Sequence, residues 1–305
     1  MNKRNTFTIW ILLLMFAVFT GANAAALKKR VAVFSFTDKS GHSYHWWTGQ
    51  PVGEGMADML VTELVKTGKF SVMERQEMEQ ILSEQAMGMS GIVTPETAAQ
   101  AGKVLGVELA IFGSVTEFGY TESSIGGALK KQGFGLGISS TKATVGVDVR
   151  FVNTETGEIM NAESVRKEES KKGLDIDTRD FSFDNQAKFD ESLVGKATRA
   201  AIDEIVSLCN SAVQNMPWQA KVIKGGAQIY INAGSEAGVQ VGDVLTVYRA
   251  GEELIDPDTG LSLGSTESKL GTIKVTNNSV GNGKASICVA VTGAGFDRND
   301  IVRME

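Results

Sequence analysis

Three stretches of the chain carry residue types that bind nucleotides or metals in other proteins. The run Gly53–Asp58 (GEGMAD) is close to the G-x-G-x-x-G pattern, in which glycines let the backbone approach a pyrophosphate at a helix N-terminus. Its sixth residue is Asp58, and sixteen residues separate the run from the predicted strand end at Phe36. Because a nucleotide loop joins strand to helix directly, we expect a flexible helix entry here and no bound nucleotide.

The two stretches that resemble metal sites lack the ligands such sites need. His42 and His45 lie three residues apart, and no further ligand stands near them. The segment that starts at Asp256 begins like a calcium loop and has Glu267 at position twelve. However, Gly260 supplies no ligand at position five, and position six is a leucine where glycine is required. We expect a solvated loop and a hairpin turn, and no metal.

The remaining reactive residue types do not form a catalytic set. The chain has two histidines and two cysteines, and neither a Ser/His/Asp nor a Cys/His arrangement is present. Cys209 falls in a helical pattern and Cys288 in a strand pattern of another domain. We prefer the interpretation that both are buried free thiols over that of an inter-domain disulfide. We therefore expect no catalytic residue and no cofactor.

Composition limits the classes of partner. The chain has 305 residues, of which 42% are hydrophobic and 22% charged, which is typical of a globular protein with one large or two ordinary domains. The net charge is −6, and no basic run is present. A nucleic-acid partner is therefore not expected, because binding it needs clustered positive charge.

Residues 1–24 have the pattern of a cleavable signal peptide. Lys3 and Arg4 precede an apolar run over residues 9–19, and Ala22-Asn23-Ala24 offers a small-residue cleavage pattern. We expect export to the periplasm or outer membrane. No cysteine lies near the cleavage pattern, so we do not expect a lipid anchor.

Strands and helices alternate in the next part of the chain. Arg30–Phe36 and Phe70–Met73 are predicted strands, and a helix with Met56, Met59, Leu60 and Leu64 on one face lies between them. Further helices are predicted between residues 74 and 105, followed by a strand from Glu108 to Val115. This order indicates an α/β layer arrangement.

A glycine-rich segment and a one-sided strand follow. Residues 126–137 contain five glycines, and residues 143–151 alternate apolar with polar side chains. A turn over residues 153–158 leads to a return strand at 159–165 and then to a highly charged stretch. A long helix with an apolar face follows: Leu193, Ala197, Ala201, Ile205, Leu208 and Ala212.

Beyond Pro217 the pattern changes to five short strands between glycine turns, which is typical of a small β-barrel. The predicted fold is thus an α/β domain with β-hairpin extensions, followed by a small all-β barrel domain. The expected boundaries are 25–215 for the α/β domain and 216–305 for the barrel. Hairpins are expected near 119–151 and 163–183.

Several of these segments resemble the CsgG family of curli secretion channels. The resemblance is carried by residues 31–41 (VAVFSFTDKSG), 59–70 (MLVTELVKTGKF), 72–75 (VMER) and 111–118 (IFGSVTEF). It covers most of residues 29–215. The residues beyond Trp218, with Ile229–Gly234 (IYINAG) and Val241–Asp243, resemble the small β-domain of flagellar FlgT-type proteins.

The resemblance implies a non-enzymatic envelope protein that forms a homo-oligomeric ring and lends hairpins to an outer-membrane barrel, for export or assembly of surface proteins. The candidate membrane-facing residues are Phe134, Leu136, Ile138, Val145, Val147 and Val149. The charges in 163–183 are costly if they face lipid. The alternative is a soluble periplasmic scaffold that binds an envelope machine, such as a flagellar basal body or a cell-wall synthase, without forming a pore.

Overall fold

The computed structural model describes residues 27–41, 49–73, 106–125, 138–172, 185–214, 216–257 and 262–304, which form two sheets and three helices. Several predictions concern other residues and lie outside this part of the chain. They are the signal peptide, the two histidines, the helices between 74 and 105 and the glycine-rich segment at 126–137.

The first sheet mixes parallel and antiparallel strands in the order β3-β1-β4-β5-β6. Its strands are β1 (Lys29–Val33), β2 (Thr37–Asp38), β3 (Phe70–Met73), β4 (Leu109–Ile125), β5 (Ile138–Asn153) and β6 (Ile159–Lys172). β1 pairs in parallel with β3 and β4, and the two-residue β2 pairs with β4. The predicted α/β arrangement is confirmed.

Helix α1 (Val52–Lys66) packs on this sheet through the face predicted from the sequence, with Met56, Leu60 and Leu64 fully buried. Gly53 lies in its first turn. A Cβ atom at Gly53 would collide with the main-chain carbonyl of Phe36, and one at Gly113 would lie 2.5 Å from the Phe36 ring. Gly53 therefore allows the first turn of α1 to pack closely against Phe36. This differs from the flexible helix entry that we expected.

Two helices follow β6 in the chain and lie on the same face of the sheet as α1. In α2 (Gln186–Glu191) the Asn185 side chain accepts a hydrogen bond from the Lys188 amide and caps the first turn. The longer α3 (Leu193–Gln214) covers β5 and β6. Its predicted apolar face is confirmed at Leu193, Ala197, Ala201 and Ile205, which are all buried.

The three strands β4, β5 and β6 form an antiparallel meander, referred to below as the meander. The β4–β5 pairing runs from Leu109 opposite Asn153 to Ile125 opposite Ile138, with one irregularity after Val115. The return strand predicted after residue 158 is present as β6. Residues 163–172 of the second predicted hairpin belong to β6, and the remainder of that hairpin lies outside the described residues.

The structure corrects three of the candidate membrane-facing residues. Val145, Val147 and Val149 have at most 1% of their surface exposed and belong to the core that α1 and α3 share with the sheet. Their alternation is that of a strand with one face under helices. In this fold they pack against the protein's own helices and do not face lipid.

The second sheet closes on itself in the strand order β10-β11-β8-β7-β12-β9. Its strands are β7 (Gln219–Lys224), β8 (Ile229–Ile231), β9 (Val244–Ile255), β10 (Ser262–Val280), β11 (Ala285–Thr292) and β12 (Ile301–Arg303), with a 3-10 turn at Ser235–Ala237. All five strands predicted after Pro217 are present, and β7 is an addition. The interior is apolar and includes Val222, Ile229, Ile231, Leu245, Val247, Ile273 and Cys288.

β9 and β10 extend beyond the closed part of this sheet as a two-stranded ribbon. β12 pairs with β9 only from Thr246 to Tyr248, whereas β9 and β10 stay paired as far as Ile255 and Ser262. The connection between them falls in the segment that resembled a calcium loop. The antiparallel pairing of Ser262 with Ile255 confirms the hairpin interpretation, and Glu267 in β10 accepts hydrogen bonds from the Arg303 guanidinium at 2.5 and 2.7 Å.

Candidate functional site: the outer end of the meander and a cleft between the sheets

Three strand ends of the meander meet at one place. Ile125 at the end of β4 lies opposite Ile138 at the start of β5, and Ser140 lies opposite Lys172 at the end of β6. The segments 126–137 and 173–184, which lie outside the described residues, connect to the sheet here. We call residues 121–125, 138–140 and 170–172 the outer end of the meander.

The structure separates the candidate membrane-facing residues into two groups. Ile138 belongs to the outer end, while Phe134 and Leu136 lie in the adjoining segment outside the described residues. The other three, on β5, are buried under the helices. The sequence-predicted residues are therefore not one surface.

The sheet face opposite α3 carries an exposed ion-pair network. Lys142 on β5 lies 2.6 Å from Glu168 on β6, and Arg166 lies 2.9 Å from Glu117 on β4 and also contacts Glu168. The pKa of the Glu168 carboxyl is held below its usual range, mainly by the hydrogen bond from Lys142 and to a smaller extent by that from Arg166. These pairs are solvent-exposed, so they fix side-chain positions across three strands and add little stability.

A cleft of about 590 Å³ lies between the two sheets. One wall consists of Arg30, residues 106–108 directly before β4, the turn between β5 and β6, and Met160 of β6. The other consists of β7, the end of β12 and the β9–β10 ribbon. Its volume is in the range of sites that hold ligands.

A buried ion pair adjoins this cleft, which its partner Glu108 lines. Lys29 Nζ lies 3.0 Å from Glu108 Oε1 and also donates to the main-chain carbonyl of Pro217. The second Glu108 oxygen accepts from the Arg30 amide at 2.9 Å. Burial lowers the pKa of the Lys29 ammonium, and Glu108 acts in the opposite direction. The pair joins the first sheet to the segment that enters the second.

Arg30 makes a second connection between the sheets. Its Nη2 donates to the main-chain oxygen of Asn232 at 3.0 Å and to the Oδ1 of Asn232 at 3.2 Å. The same Oδ1 accepts from the Lys221 amide at 2.7 Å. Gly106 has φ +66°, and a Cβ atom there would lie 2.6 Å from Arg30 Nη1. The guanidinium is thus packed tightly on both sides.

Both cysteines lie among the described residues. Cys209 and Cys288 are free and buried in different cores, which confirms the preferred reading of two free thiols. Burial raises the pKa of each thiol to about 12, so neither is a nucleophile at neutral pH. Within the described ranges, no cluster of His, Cys, Asp or Glu side chains could hold a metal. No helix in those ranges is long and apolar enough to cross a membrane.

Sequence reasoning missed the cleft because its residues are distant in the chain. Glu108 lies 79 positions from Lys29, and Asn232 lies 202 positions from Arg30. One signal was present in the sequence. Lys29, Arg30 and Glu108 are charged residues placed directly before apolar strands, where a buried partner is needed.

Comparison with solved structures finds matches at low sequence identity and low TM-score. The hypothetical protein CT253 from Chlamydia trachomatis has 14% identity and a TM-score of 0.42, covering 61% of this chain and 98% of that one. The LpoB C-terminal domain from Salmonella enterica has 11% identity and a TM-score of 0.32, covering 51% and 90%. Lipoprotein GNA1162 from Neisseria meningitidis has 15% identity and a TM-score of 0.33, covering 59% and 99%.

Sequence comparison gives the family. No curated protein sequence matches the chain. The family model described as "Curli production assembly/transport component CsgG" matches residues 15–226, which is more than half of the chain. The resemblance identified from the sequence motifs is confirmed: the chain is a cell-envelope protein that belongs to the CsgG family.

Proposed function

We propose that this protein is a non-enzymatic, ring-forming component of the cell envelope that serves the export or assembly of surface proteins at the outer membrane. The observation that carries the proposal is the continuous β4–β5 pairing, which runs from Leu109 in the core to Ile125 at the outer end. CsgG-family membership supports the same function.

A membrane hairpin would combine the outer end of the meander with the adjoining segment 126–137. β4 has 17 residues and β5 has 16, but their inner parts are buried in the core, so the about 9–11 residues that a strand needs to cross a bilayer would have to include part of that segment. The adjoining segment 126–137 contains Phe134 and Leu136 among five glycines. Insertion would occur when neighbouring subunits pair with the strand edges, since an open edge is not tolerated in lipid.

The edges of the first sheet suit ring assembly. β3 at one edge has four residues and β6 at the other has 14, and each pairs on one side only among the described strands. Contact between two unlike edges is head-to-tail, and it gives a closed ring when the rotation between subunits closes. We propose a homo-oligomeric ring on this basis. We also propose that the second sheet forms a separate domain.

A second candidate is a periplasmic scaffold that binds an envelope machine without forming a pore. It is favoured by the burial of Val145, Val147 and Val149, which removes half of the candidate lipid-facing side chains. The charges of β6 also favour it, because Arg166 and Glu168 lie on one face while Lys167 contacts Glu204 of α3 on the other.

One pair of variants separates the two candidates. Phe134→Asp combined with Leu136→Asp places two charges where lipid contact is proposed, each at a cost below the about 2–4 kcal/mol of a basic residue at mid-depth. We expect this variant to stay folded, to be lost from the outer-membrane fraction and to release no dye from liposomes. The matched control is Val241→Asp with Val291→Asp, at positions 61% and 54% exposed on the second sheet.

The control should fractionate with the outer membrane and release dye like the wild type. If the Phe134/Leu136 variant also behaves like the wild type in both assays, this segment does not meet lipid. The scaffold function would then replace the export function.

A further inference from the structure

We infer that the cleft between the two sheets binds an extended segment of a partner polypeptide. The segment would lie between the start of β6 and the β9–β10 ribbon. This inference goes beyond the proposed function and does not depend on whether the protein forms a pore, because the cleft is bordered by the end of β5 and the start of β6, opposite to the outer end of the meander. It uses β6 only near Met160, so the rest of the β6 edge stays available for the proposed contact between subunits.

Two incompletely paired strand edges border the cleft. β6, which contributes Met160 to the lining, pairs with β5 and with no second strand of the described residues. β9 contributes Ala250, and its pairing with β12 stops at Tyr248. Such edges accept an added strand through main-chain hydrogen bonds, which is a common mode of peptide recognition.

Neutral polar groups in the lining suit a peptide backbone. Asn153 Oδ1 accepts from the Glu155 amide at 2.8 Å, and its NH2 group has no hydrogen-bond partner among the described residues. Among the described residues, the side-chain amide of Asn299 and the hydroxyl of Ser265 also have no hydrogen-bond partner. Amides and hydroxyls can both donate and accept, as the alternating N–H and C=O groups of an extended chain require.

The charges of the cleft argue against a phosphate or nucleotide ligand. The lining has three basic and three acidic side chains: Arg30, Lys221 and Arg303, and Glu108, Glu155 and Glu253. The guanidinium of Arg303 is held by Glu267, and Glu155 accepts from Gln219 at 3.1 Å. Anion sites need surplus positive charge or clustered N–H donors, and this lining has no surplus.

Apolar groups give the cleft places for side chains of the bound segment. Met160, Met216 and Ile301 lie in the lining, and methionine adapts to side chains of different shape. A strand places side chains alternately on its two faces, so we expect a partner segment with apolar residues at every second position.

The test uses the full-length chain and a library of random linear peptides. Peptides are selected on the wild-type protein, and their affinities are measured by fluorescence anisotropy. Ser265→Trp and Ala250→Trp each place a large ring in the cleft from opposite strands of the ribbon, at exposed positions. Thr266→Trp is the matched control, because Thr266 is exposed and next in sequence but does not line the cleft.

We expect the selected peptides to bind at least about tenfold more weakly to both cleft variants and to bind the control like the wild type. Circular dichroism confirms folding, and if one cleft variant unfolds the other decides. Slower amide exchange at the start of β6 and in residues 250–255 on peptide binding would further support the inference. It is overturned if no selected peptide responds to the folded cleft variants, or if inorganic phosphate displaces the peptides.

Discussion

The two halves of the meander are continuous in backbone but differ in what covers them. The inner half, residues 143–151 of β5 and their neighbours, lies under α3, and its apolar side chains are fully buried. At the outer end, Thr121, Ser170, Lys171 and Lys172 are exposed. The same antiparallel ladder thus forms a domain core at one end and an unpartnered surface at the other.

This difference shows the limit of an alternating pattern. Alternating apolar and polar residues predict that one face of a strand meets an apolar environment. They do not indicate whether that environment is a helix or lipid. Val147 meets α3 and the core, while a role in lipid contact remains proposed for Phe134 and Leu136. The following predictions test this division of the meander.

The largest effect is expected for a charge placed in the inner half. Val147→Asp buries an unpaired carboxylate at a position with 0% exposure and should lower the free energy of unfolding by about 4 kcal/mol or more. Thr121→Asp, at an exposed position of the outer end, should change it by less than about 0.5 kcal/mol. Urea unfolding followed by circular dichroism measures both. Equal midpoints for the two variants would contradict the division.

The next effect concerns the ion pair that precedes β4. Glu108→Ala leaves the buried Lys29 ammonium without its counter-charge and should cost about 3–5 kcal/mol. Combining Lys29→Met with Glu108→Leu removes both charges and should restore much of that stability. The same urea experiment measures the single and double variants. If the double variant is less stable than Glu108→Ala, the burial cost of Lys29 is not the cause.

A smaller effect is expected from the thiol under the inner half. Burial raises the pKa of Cys209 to about 12 from its ordinary value of 9.0, so between these pH values the folded state keeps a proton that the unfolded state loses. The free energy of unfolding should therefore fall by about 1.4 kcal/mol per pH unit above pH 9 for this thiol. Unfolding at pH 8, 9, 10 and 11 should show a shallower decline for Cys209→Ala than for the wild type. Parallel declines would indicate an exposed thiol.

The smallest effect is expected on the exposed network of the meander. Arg166→Ala removes contacts with Glu117 and Glu168 that lie in solvent, so the urea midpoint should stay close to that of the wild type. The contrast with Glu108→Ala compares an exposed with a buried ion pair of the same sheet. A large loss of stability in Arg166→Ala would show that the network contributes to the fold.

Much of the fold followed from local patterns. The periodic apolar residues of α1 and α3 and the β5–β6 hairpin were predicted, because each buries one regular face. The ribbon beyond Arg249 was not, because residues 250–255 are exposed on both faces and show no alternation. The cleft was also missed, since its ion pair joins Lys29 to Glu108, which only the folded chain brings together.

The central claim is that copies of this chain close into a ring, and the most direct test is the assembly itself. Full-length protein extracted in mild detergent should have one defined mass above that of the monomer in light scattering, and electron microscopy should show closed rings. A monomer at micromolar concentration, both in detergent and in detergent-free buffer, would contradict the account.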